Sequence, residues 1–401
     1  MKLLIITQYF YPENFKSNDL AFELKKRGNN VTVLTGLPNY PEGKVYKGYG
    51  ILKRRKQEIN GVRVIRTLLI PRGKGSALQL FLNYFSFAFF ASIRAFFLTF
   101  KSKYDAVIVH EPSPITQYYP ALLINKIYKT PVYFWVMDLW PESLVVSGGV
   151  KNKFIINFFK KMVITFYKNS KKILITSKGF EKSILEKGDF KNKIVYFPNW
   201  AEEIISKGSK NYPIPKLPEG FKVVFAGNIG ESQDMESIMK ASLLLKNYYE
   251  IKFIFIGDGR KIPFVKDFIE ENELNNTVFT LGKFPIEAMA TFFNNSSVLL
   301  VSLKDKPIFN LTVPAKVQAY MSAKKPILGM LNGEGAQNIM EARCGFSVPA
   351  GDYKKLSEKI IEISNMEEKE LNTLGENGFK FYTKNYKLNT CISNLEKILN
   401  E

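Results

Sequence analysis

The chain has 401 residues, of which 46% are hydrophobic, so it is long enough for two domains with separate apolar cores. Its two cysteines cannot form a disulfide framework or a zinc cluster, and its single histidine argues against a His-based metal site. The opening MKLLIITQYF lacks the small-residue cleavage site of a signal peptide. We therefore expect a cytoplasmic protein without a metal or other cofactor.

The net charge of +20 lies entirely in the first half of the chain. Residues 1–200 hold 32 Lys and Arg against 12 Asp and Glu, whereas the remaining residues hold 25 of each. Such an uneven distribution indicates a face for an anionic partner, either nucleic acid or an acidic membrane surface. A basic surface that serves only solubility is the alternative.

The first half contains seven short apolar runs that predict buried parallel strands, because they are rich in β-branched residues and lack regular alternation. A helical segment over residues 16–27 ends at Gly28, which is a typical helix terminator. Alternating strands and helices predict a doubly wound α/β domain. The predicted strands are residues 3–7, 31–35, 62–67, 106–110, 132–136, 173–176 and 194–197.

The same alternation restarts after a segment rich in Pro, Gly, Ser and Lys. Six further strands are predicted, at residues 222–225, 252–256, 278–280, 298–302, 326–329 and 346–348. Two such domains that face each other leave a cleft at the carboxyl ends of their sheets. We predict an N-terminal domain over residues 1–204, a linker over 205–220, a second domain over 221–380, and a C-terminal helix over 381–401 that packs back on the N-terminal domain.

Residues 75–93 are nineteen residues without a charge, which is long enough for a membrane span. Spanning would place consecutive strands of one sheet on opposite sides of the membrane. We therefore expect one or two helices that pack on the sheet and expose Phe and Leu side chains to the headgroup region, while a fully buried helix is the alternative. The basic residues that flank this stretch are Lys53, Arg54, Arg55, Lys56, Arg72, Lys74, Lys101 and Lys103.

Three features of the second domain predict a diphosphate site. Glycines in the run Gly227, Asn228, Ile229 and Gly230 follow a strand, where they let backbone N–H groups approach a ligand. Arg260 follows the next strand and has the fork geometry that phosphates accept. Lys316 lies near a helix N-terminus, where a cation is unfavourable unless an anion lies between them. The alternatives are an ordinary turn and exposed loop cations.

Acidic residues and the histidine lie at neighbouring strand ends of the first domain. Asp138 and Glu142 follow one predicted strand, and His110 and Glu111 end another. Because active sites of this architecture are built at the carboxyl ends of strands, Asp138, His110 and Glu142 are candidate catalytic residues. A turn cap for Asp138 and a buried, hydrogen-bonded imidazole for His110 are the alternatives.

Seven motifs spread over the chain resemble glycosyltransferase family 4, which has the GT-B fold of two doubly wound Rossmann-like domains facing across a cleft. Within it, the chain is most similar to bacterial transferases that add N-acetyl-L-fucosamine to capsule or O-antigen repeat units. The motifs are residues 8–13 (QYFYPE), 34–43 (LTGLPNYPEG), 138–143 (DLWPES), 197–199 (FPN), 225–230 (FAGNIG), 256–259 (IGDG) and 313–316 (VPAK) with Tyr320 and residues 325–326.

The resemblance implies a retaining, metal-independent transfer from a UDP- or GDP-sugar, with UDP as our choice, to a sugar on undecaprenyl diphosphate. It implies acceptor contacts by Glu13, Asn18, Asp19, Asn39, Tyr40 and Glu111. It implies donor contacts by Gly227, Asn228, Ile229, Gly230, Arg260, Lys283, Phe284, Pro314, Lys316, Gln318 and Glu334. The resemblance implies a nucleotide sugar and a lipid-linked saccharide as partners. The basic first half and its apolar stretch add an anionic membrane surface, so we expect a protein peripheral on the inner face of the cell membrane, with no nucleic acid bound.

The chain departs from the family at two acidic positions. Leu311 and Ala319 occupy the places of two glutamates that contact the donor in many members, and Gln318 or Glu334 is expected to replace them. The missing acids keep a nonenzymatic sugar-nucleotide sensor open as an alternative. The basic first half keeps a nucleic-acid-binding protein open, although no nucleic-acid motif is present and the Phe-rich run is unsuited to a phosphate track.

Overall fold

The computed structural model describes residues 1–146, 149–207 and 212–401, which form two compact units. Unit 1 contains Met1–Phe197 and Ile392–Glu401, and unit 2 contains Pro198–Cys391. Residues 208–211 of the predicted linker lie outside the described residues. In the remainder of that segment, Tyr212, Ile214 and Leu217 pack against the core of unit 2.

Unit 1 is built on an eight-stranded sheet with the order β3-β4-β2-β1-β5-β6-β7-β8. Neighbouring strands pair in parallel except β3, which is antiparallel to β4. The polar sequence KQEI of β3 carries no buried-strand pattern, which is why the apolar runs do not predict it. The strands are β1 (Lys2–Ile6), β2 (Asn30–Gly36), β3 (Lys56–Ile59), β4 (Val62–Thr67), β5 (Ala106–Glu111), β6 (Val132–Val136), β7 (Lys172–Ile175) and β8 (Ile194–Tyr196).

Helices connect the parallel strands of unit 1. The first of them is followed by Gly28, whose φ of +89° is a left-handed conformation that glycine adopts without strain. The helices are α1 (Lys16–Lys26), α2 (Ala77–Lys101), α3 (Tyr119–Tyr128), α4 (Glu142–Val146), α5 (Lys153–Asn169) and α6 (Phe180–Leu185).

Unit 2 contains a six-stranded, wholly parallel sheet with the order β11-β10-β9-β12-β13-β14. Its strands are β9 (Phe221–Ala226), β10 (Ile251–Ile256), β11 (Val278–Gly282), β12 (Val298–Ser302), β13 (Ile327–Met330) and β14 (Gly345–Val348). Its helices are α7 (Glu203–Lys207), α8 (Met235–Leu244), α9 (Ile262–Glu271), α10 (Met289–Asn294), α11 (Pro307–Asn310), α12 (Ala315–Ser322), α13 (Glu334–Glu341), α14 (Tyr353–Ser364) and α15 (Glu368–Asn385).

The last helix, α16 (Leu388–Asn400), ends in unit 1. Arg27 Nη1 donates to Glu396 Oε2 over 3.1 Å, and Tyr133 Oη donates to the Leu399 carbonyl over 3.3 Å. Ile392 and Leu395 on the same helix are fully buried. The C-terminal residues therefore complete the unit that contains the N-terminus.

The strand orders determine where each unit can bind a ligand. In unit 1 the chain winds outward from β1 through β2 and then returns to place β5 on the other side of β1. In unit 2, β9 has the same position between β10 and β12. Loops that leave the carboxyl ends of two such strands diverge, and the space between them is where doubly wound sheets bind ligands.

The uncharged stretch forms one long helix, α2, with two different faces. One face, including Phe87, Ala91 and Ala95, is fully buried. The other exposes large apolar side chains; Phe89 is 61% exposed and Phe100 is 73% exposed. Among the described residues, α2 is long and apolar enough to cross a membrane by length and composition. The alternative of a fully buried helix is wrong, because large side chains such as Phe89 and Phe100 are mostly exposed.

Candidate functional site

Two glycine turns of unit 2 lie in backbone contact at the carboxyl ends of β9 and β10. A Cβ on Gly257 would lie 1.9 Å from the Gly227 carbonyl oxygen, and a Cβ on Gly259 would lie 2.3 Å from that of Ile229. Ile229 N donates to the Asp258 carbonyl over 2.9 Å, which joins the two turns. Only glycine permits this approach, so the turns form one rigid backbone surface.

A pocket of about 500 Å³ opens at these turns. Of the predicted donor residues, Gly227, Asn228, Lys283 and Phe284 line it, whereas Ile229 and Gly230 are buried behind its wall. Arg260 is exposed and does not line this pocket. The complete lining is Gly227, Asn228, Ile256, Gly257, Asp258, Gly259, Lys283, Phe284 and Met289.

Lys316 lies at the edge of this pocket with its side chain directed across the end of β9. Its Nζ donates to Gln233 Oε1 over 2.8 Å and lies 3.5 Å from the centroid of the Phe225 ring. Its Cε lies so near Gly227 that a Cβ there would be 2.9 Å away. Burial lowers the pKa of Lys316 well below its ordinary value, and no carboxylate within the described residues forms an ion pair with it. An anion at this position would therefore meet a cation without a charged partner.

The remaining predicted donor residues differ in accessibility. Pro314 is the residue before α12, and Gln318 on that helix is only 2% exposed, with no hydrogen-bond partner for its Oε1. Glu334 is half-buried at the start of α13. Gln318 is thus enclosed in the core of unit 2, and the structure does not expose it to a ligand.

In unit 1, Glu13 joins the loops that follow β1 and β2. Its carboxylate accepts hydrogen bonds from the backbone of Asn39 (2.8 Å), Tyr40 (2.7 Å) and Phe10 (3.3 Å). The side chain is buried, and burial raises the pKa of Glu13 to about 7 although these bonds and Arg66 oppose the shift. We expected Glu13 to contact an acceptor, but backbone groups occupy its oxygens, so it positions the two loops instead.

Asn18 and Asn39 have similar internal partners. Asn18 accepts from Tyr11 N and donates to the Glu13 carbonyl, while Asn39 donates to the Leu37 carbonyl and accepts from Arg72 N. Both side chains are buried. Asp19 is half-buried in the first turn of α1. The two asparagines therefore hold loops in place and are not free to contact a ligand.

An aromatic cluster stands on these loops. The rings of Tyr9 and Phe15 stack with centroids 5.0 Å apart, and both lie 5.5 Å from the ring of Tyr40. The guanidinium of Arg72 lies 4.8 Å from the Tyr40 centroid. Tyr40, predicted as an acceptor residue, is 39% exposed and presents a ring on which a sugar can stack.

Asp138 follows β6 and is held by its neighbours. Its Oδ2 accepts from Ser113 Oγ over 2.8 Å, and Trp140 Nε1 donates to the same hydroxyl over 3.1 Å. Burial raises the pKa of Asp138, although the Ser113 bond opposes this shift. The adjacent Glu111 is fully buried, and burial and the charge of Asp138 raise its pKa well above the ordinary value. Asp138 is half-buried and can contact a ligand, whereas Glu111 is inaccessible.

Neither of the other two catalytic candidates is available to a ligand in the structure. His110 is completely buried, 4.7 Å from the Trp135 ring and 3.3 Å from Thr7 Oγ1, and burial lowers its pKa to about 3. Glu142 accepts from Lys187 Nζ over 2.5 Å and from Ser183 Oγ over 2.9 Å. The structure therefore supports the alternative of a buried, hydrogen-bonded imidazole for His110. Glu142 joins α4 to α6 through its bond with Ser183 and forms an ion pair with Lys187, which follows α6.

Several residues at these sites carry no signal in the sequence. Gln233, Arg72 and Tyr84 reach their partners only through contacts between segments that lie far apart along the chain. Within the described residues, no three His, Cys, Asp or Glu side chains are grouped to hold a metal ion.

Comparison with known proteins links this architecture to a family. Residues 211–381 match the family described as glycosyl transferases group 1. The chain is 30% identical to a probable glycosyltransferase WbjE of Pseudomonas aeruginosa over 60% of its length, and the match spans 62% of that relative. It is 22% identical to a putative colanic acid biosynthesis glycosyl transferase WcaI of Escherichia coli K12, over 72% of each chain.

Solved glycosyltransferase structures match the chain over nearly its whole length. One solved structure, Anabaena HepE in complex with UDP and glucose, is 13% identical and covers 100% of both chains with a TM-score of 0.69. The chain has the GT-B fold. The predicted fold class, with two mostly parallel α/β sheets, is thereby confirmed.

Glu13 gives a testable dependence on pH. Its pKa of about 7 in the folded protein exceeds the ordinary value of 4.5, so between these values the folded protein keeps a proton that the unfolded chain loses. The free energy of unfolding contributed by Glu13 is therefore greatest below pH 4.5 and falls by about 3 kcal/mol as the pH rises through 7. Urea unfolding between pH 4 and 8 should show a fall that is smaller by about this amount in Glu13→Gln than in the wild type.

The exposed Glu58 provides the control, because Glu58→Gln should follow the wild-type curve. A difference between the wild type and Glu13→Gln that stays constant across this pH range would contradict a raised pKa.

Proposed function

We propose that this protein is a glycosyltransferase that moves a sugar from a UDP-sugar to a lipid-linked saccharide in surface polysaccharide synthesis. The observation that carries the proposal is the pocket of unit 2, where two glycine turns in backbone contact meet Lys316, a half-buried cation with no carboxylate partner among the described residues. A diphosphate fits this chemistry, because it supplies the missing charge and can accept bonds from backbone N–H groups.

The comparisons support a UDP-sugar as the donor and polysaccharide synthesis as the process. The glycosyl transferases group 1 match over residues 211–381 contains the whole pocket. The similar structure of HepE was solved with UDP and glucose, and the relative WcaI is named for colanic acid biosynthesis. On this basis UDP is the proposed nucleotide, and a capsule or O-antigen polymer is the proposed product. N-acetyl-L-fucosamine is the proposed sugar, with other UDP- or GDP-sugars as the alternative.

The proposed reaction is a transfer with retention of configuration that requires no bound metal. The bond between the sugar and the diphosphate breaks, and charge that develops on the leaving diphosphate is stabilised by Lys316 and the amides of the Gly227 turn. The acceptor hydroxyl attacks from the face that the diphosphate leaves, and its proton passes to a phosphate oxygen. Asp138 of unit 1 positions the acceptor or stabilises the cationic sugar.

We also propose that unit 1 lies on the cytoplasmic face of the cell membrane. Phe81, Phe89, Phe97 and Phe100 are exposed along α2, and basic residues lie before and after this helix. Apolar side chains inserted at the headgroup level and cations that attract anionic lipid act together to hold a protein on a bilayer. This placement would bring the protein to a lipid-linked acceptor.

A donor screen tests the proposal. Purified protein is given UDP- and GDP-sugars, including UDP-N-acetyl-L-fucosamine, with and without lipid-linked acceptor in vesicles and with and without EDTA. We expect one UDP-sugar to give UDP release that depends on the acceptor and persists in EDTA. Silence with all donors from folded protein that still binds UDP would instead support a nonenzymatic sensor, for which the absent acids at Leu311 and Ala319 are the argument.

Lys316→Gln should weaken UDP binding roughly 10- to 100-fold, because it removes a charge-assisted bond to the diphosphate. Since burial lowers the pKa of free Lys316, bound UDP should raise that pKa, so proton uptake on binding should be larger in the wild type than in Lys316→Gln. Titration calorimetry in buffers of different ionisation enthalpy measures both effects. Lys266→Gln, which changes an exposed lysine of α9, should retain wild-type affinity and proton uptake. Wild-type UDP affinity in Lys316→Gln would remove Lys316 from the donor site.

Membrane binding is tested with Phe89→Ser combined with Phe97→Ser. Both side chains are more than half exposed, so the protein should fold normally while its partition onto vesicles containing phosphatidylglycerol falls at least about 10-fold. Leu244→Ser combined with Tyr249→Ser changes exposed apolar residues of unit 2 and should leave vesicle flotation unchanged. Equal binding by both double variants would refute a membrane face on α2.

A further inference from the structure

Arg72 is a half-buried cation without an acidic partner. Its guanidinium packs 4.8 Å from the centroid of the Tyr40 ring, and no carboxylate within the described residues forms an ion pair with it. Partial withdrawal from water makes a guanidinium costly unless an anion is near, and an aromatic face supplies only part of the compensation. The Arg72 side chain is therefore suited to bind an anion that belongs to a ligand.

The loop that carries Arg72 is fixed in place. Ile70 N donates to Ser86 Oγ over 2.9 Å, and Asn83 Nδ2 donates to the Ile70 carbonyl over 2.6 Å. Gln8, at the end of β1, donates to Asn83 Oδ1 over 2.6 Å. These bonds tie the loop to α2 and to the sheet, so Arg72 is held before any ligand arrives, which lowers the entropic cost of binding.

Tyr84 connects Arg72 to the end of β6. It lies on α2 one residue after Asn83, and its phenol is half-buried. Its backbone carbonyl accepts a hydrogen bond from Thr116 Oγ1 over 3.3 Å, three residues after the Ser113 that donates to Asp138. Burial raises the pKa of Tyr84, the charge of Arg72 lowers it, and Asp138 and Tyr40 raise it further. Asn83 thus ties the Tyr84 turn of α2 to the loop of Arg72, and Thr116 ties it to the segment whose Ser113 holds Asp138.

Helix α2, which carries Tyr84, also has an exposed apolar surface. Leu78, Phe81 and Leu82 are exposed on the turns of α2 that precede Tyr84. A lipid that lies along this surface would have its polar head at the level of the loop before the helix, where Arg72 and the exposed Lys74 lie.

We propose that Arg72, together with the hydroxyls of Tyr40 and Tyr84, binds an anionic group of the acceptor and thereby sets which acceptors are used. The anion is either the diphosphate that joins the sugar to its lipid or a carboxylate of the acceptor sugar, since both accept a bidentate guanidinium. Asp138 then faces the sugar hydroxyl that reacts. The inference rests on the proposed function and assigns Arg72 and Tyr84, which carry no motif.

The kinetic test compares three acceptors that carry the same terminal sugar: a prenyl diphosphate, an uncharged alkyl glycoside, and an alkyl glycoside whose next sugar is a uronic acid. Arg72→Gln should lower kcat/KM roughly 10- to 100-fold for the acceptor with the recognised anion and leave the uncharged glycoside unchanged. Arg72→Lys should recover part of the loss. The KM for the donor should stay at the wild-type value in every variant.

Arg63→Gln is the matched control, because Arg63 is an exposed arginine of the same unit on β4. It removes one positive charge without altering the aromatic cluster, so all three acceptors should react as with the wild type. Selective loss with the diphosphate identifies the lipid linkage as the source of the anion, and selective loss with the uronic acid identifies the sugar. Equal loss with all three acceptors, or no loss with any, would overturn the proposal.

A binding measurement separates this inference from the proposed activity. Geranyl diphosphate and a geranyl glucuronide serve as probes in a Lys316→Gln background, which removes the candidate diphosphate site of unit 2. Calorimetry should show that one of them binds and that adding Arg72→Gln weakens this binding at least about 10-fold. If no donor is turned over but this difference persists, the proposed reaction fails and the anion site stands. If neither probe depends on Arg72, the anion site fails whatever the activity.

Discussion

Parallel pairing imposes the constraint on which the rest of this structure depends. Strands such as β1, β5 and β9 are covered on both faces, so their interiors accept only apolar side chains. Polar groups are therefore concentrated where strands end and loops begin. Glu111, Asp138 and Gly227 all lie at the carboxyl end of a strand or just beyond it, and the candidate sites of both units are built there.

This concentration at strand ends explains the unusual protonation of the site residues. Strand ends are only partly solvated, and burial disfavours the charged form of any ionisable group. The pKa of Glu13, Glu111 and Asp138 is accordingly raised, whereas that of Lys316 is lowered. The acids of unit 1 are supported by donors such as Ser113, whereas the partners of Lys316 within the described residues are an amide oxygen and an aromatic ring. The lysine is thus the group that gains most from an arriving anion.

Helix α2 connects the two proposed properties of unit 1. Its buried face holds Asn83, which fixes the loop of Arg72, and its exposed face carries the phenylalanines proposed to enter the membrane. A single rigid helix that contacts both the sheet and a bilayer would keep a lipid-linked substrate at a constant distance from Asp138. Membrane binding and acceptor choice would then depend on the same element, although different residues provide them.

The sequence by itself determined every strand except β3, the division into two α/β units and the glycine turns at the candidate pocket of unit 2. Those features depend on local patterns, namely apolar runs of strand length and glycine where backbones must touch, so they can be read along the chain. Only the tertiary structure decided which individual side chains are buried and which groups they contact. It buried His110, engaged the oxygens of Glu13 with backbone donors and brought Arg72 to the ring of Tyr40. Such contacts join residues far apart in the chain, and packing rather than local pattern sets them.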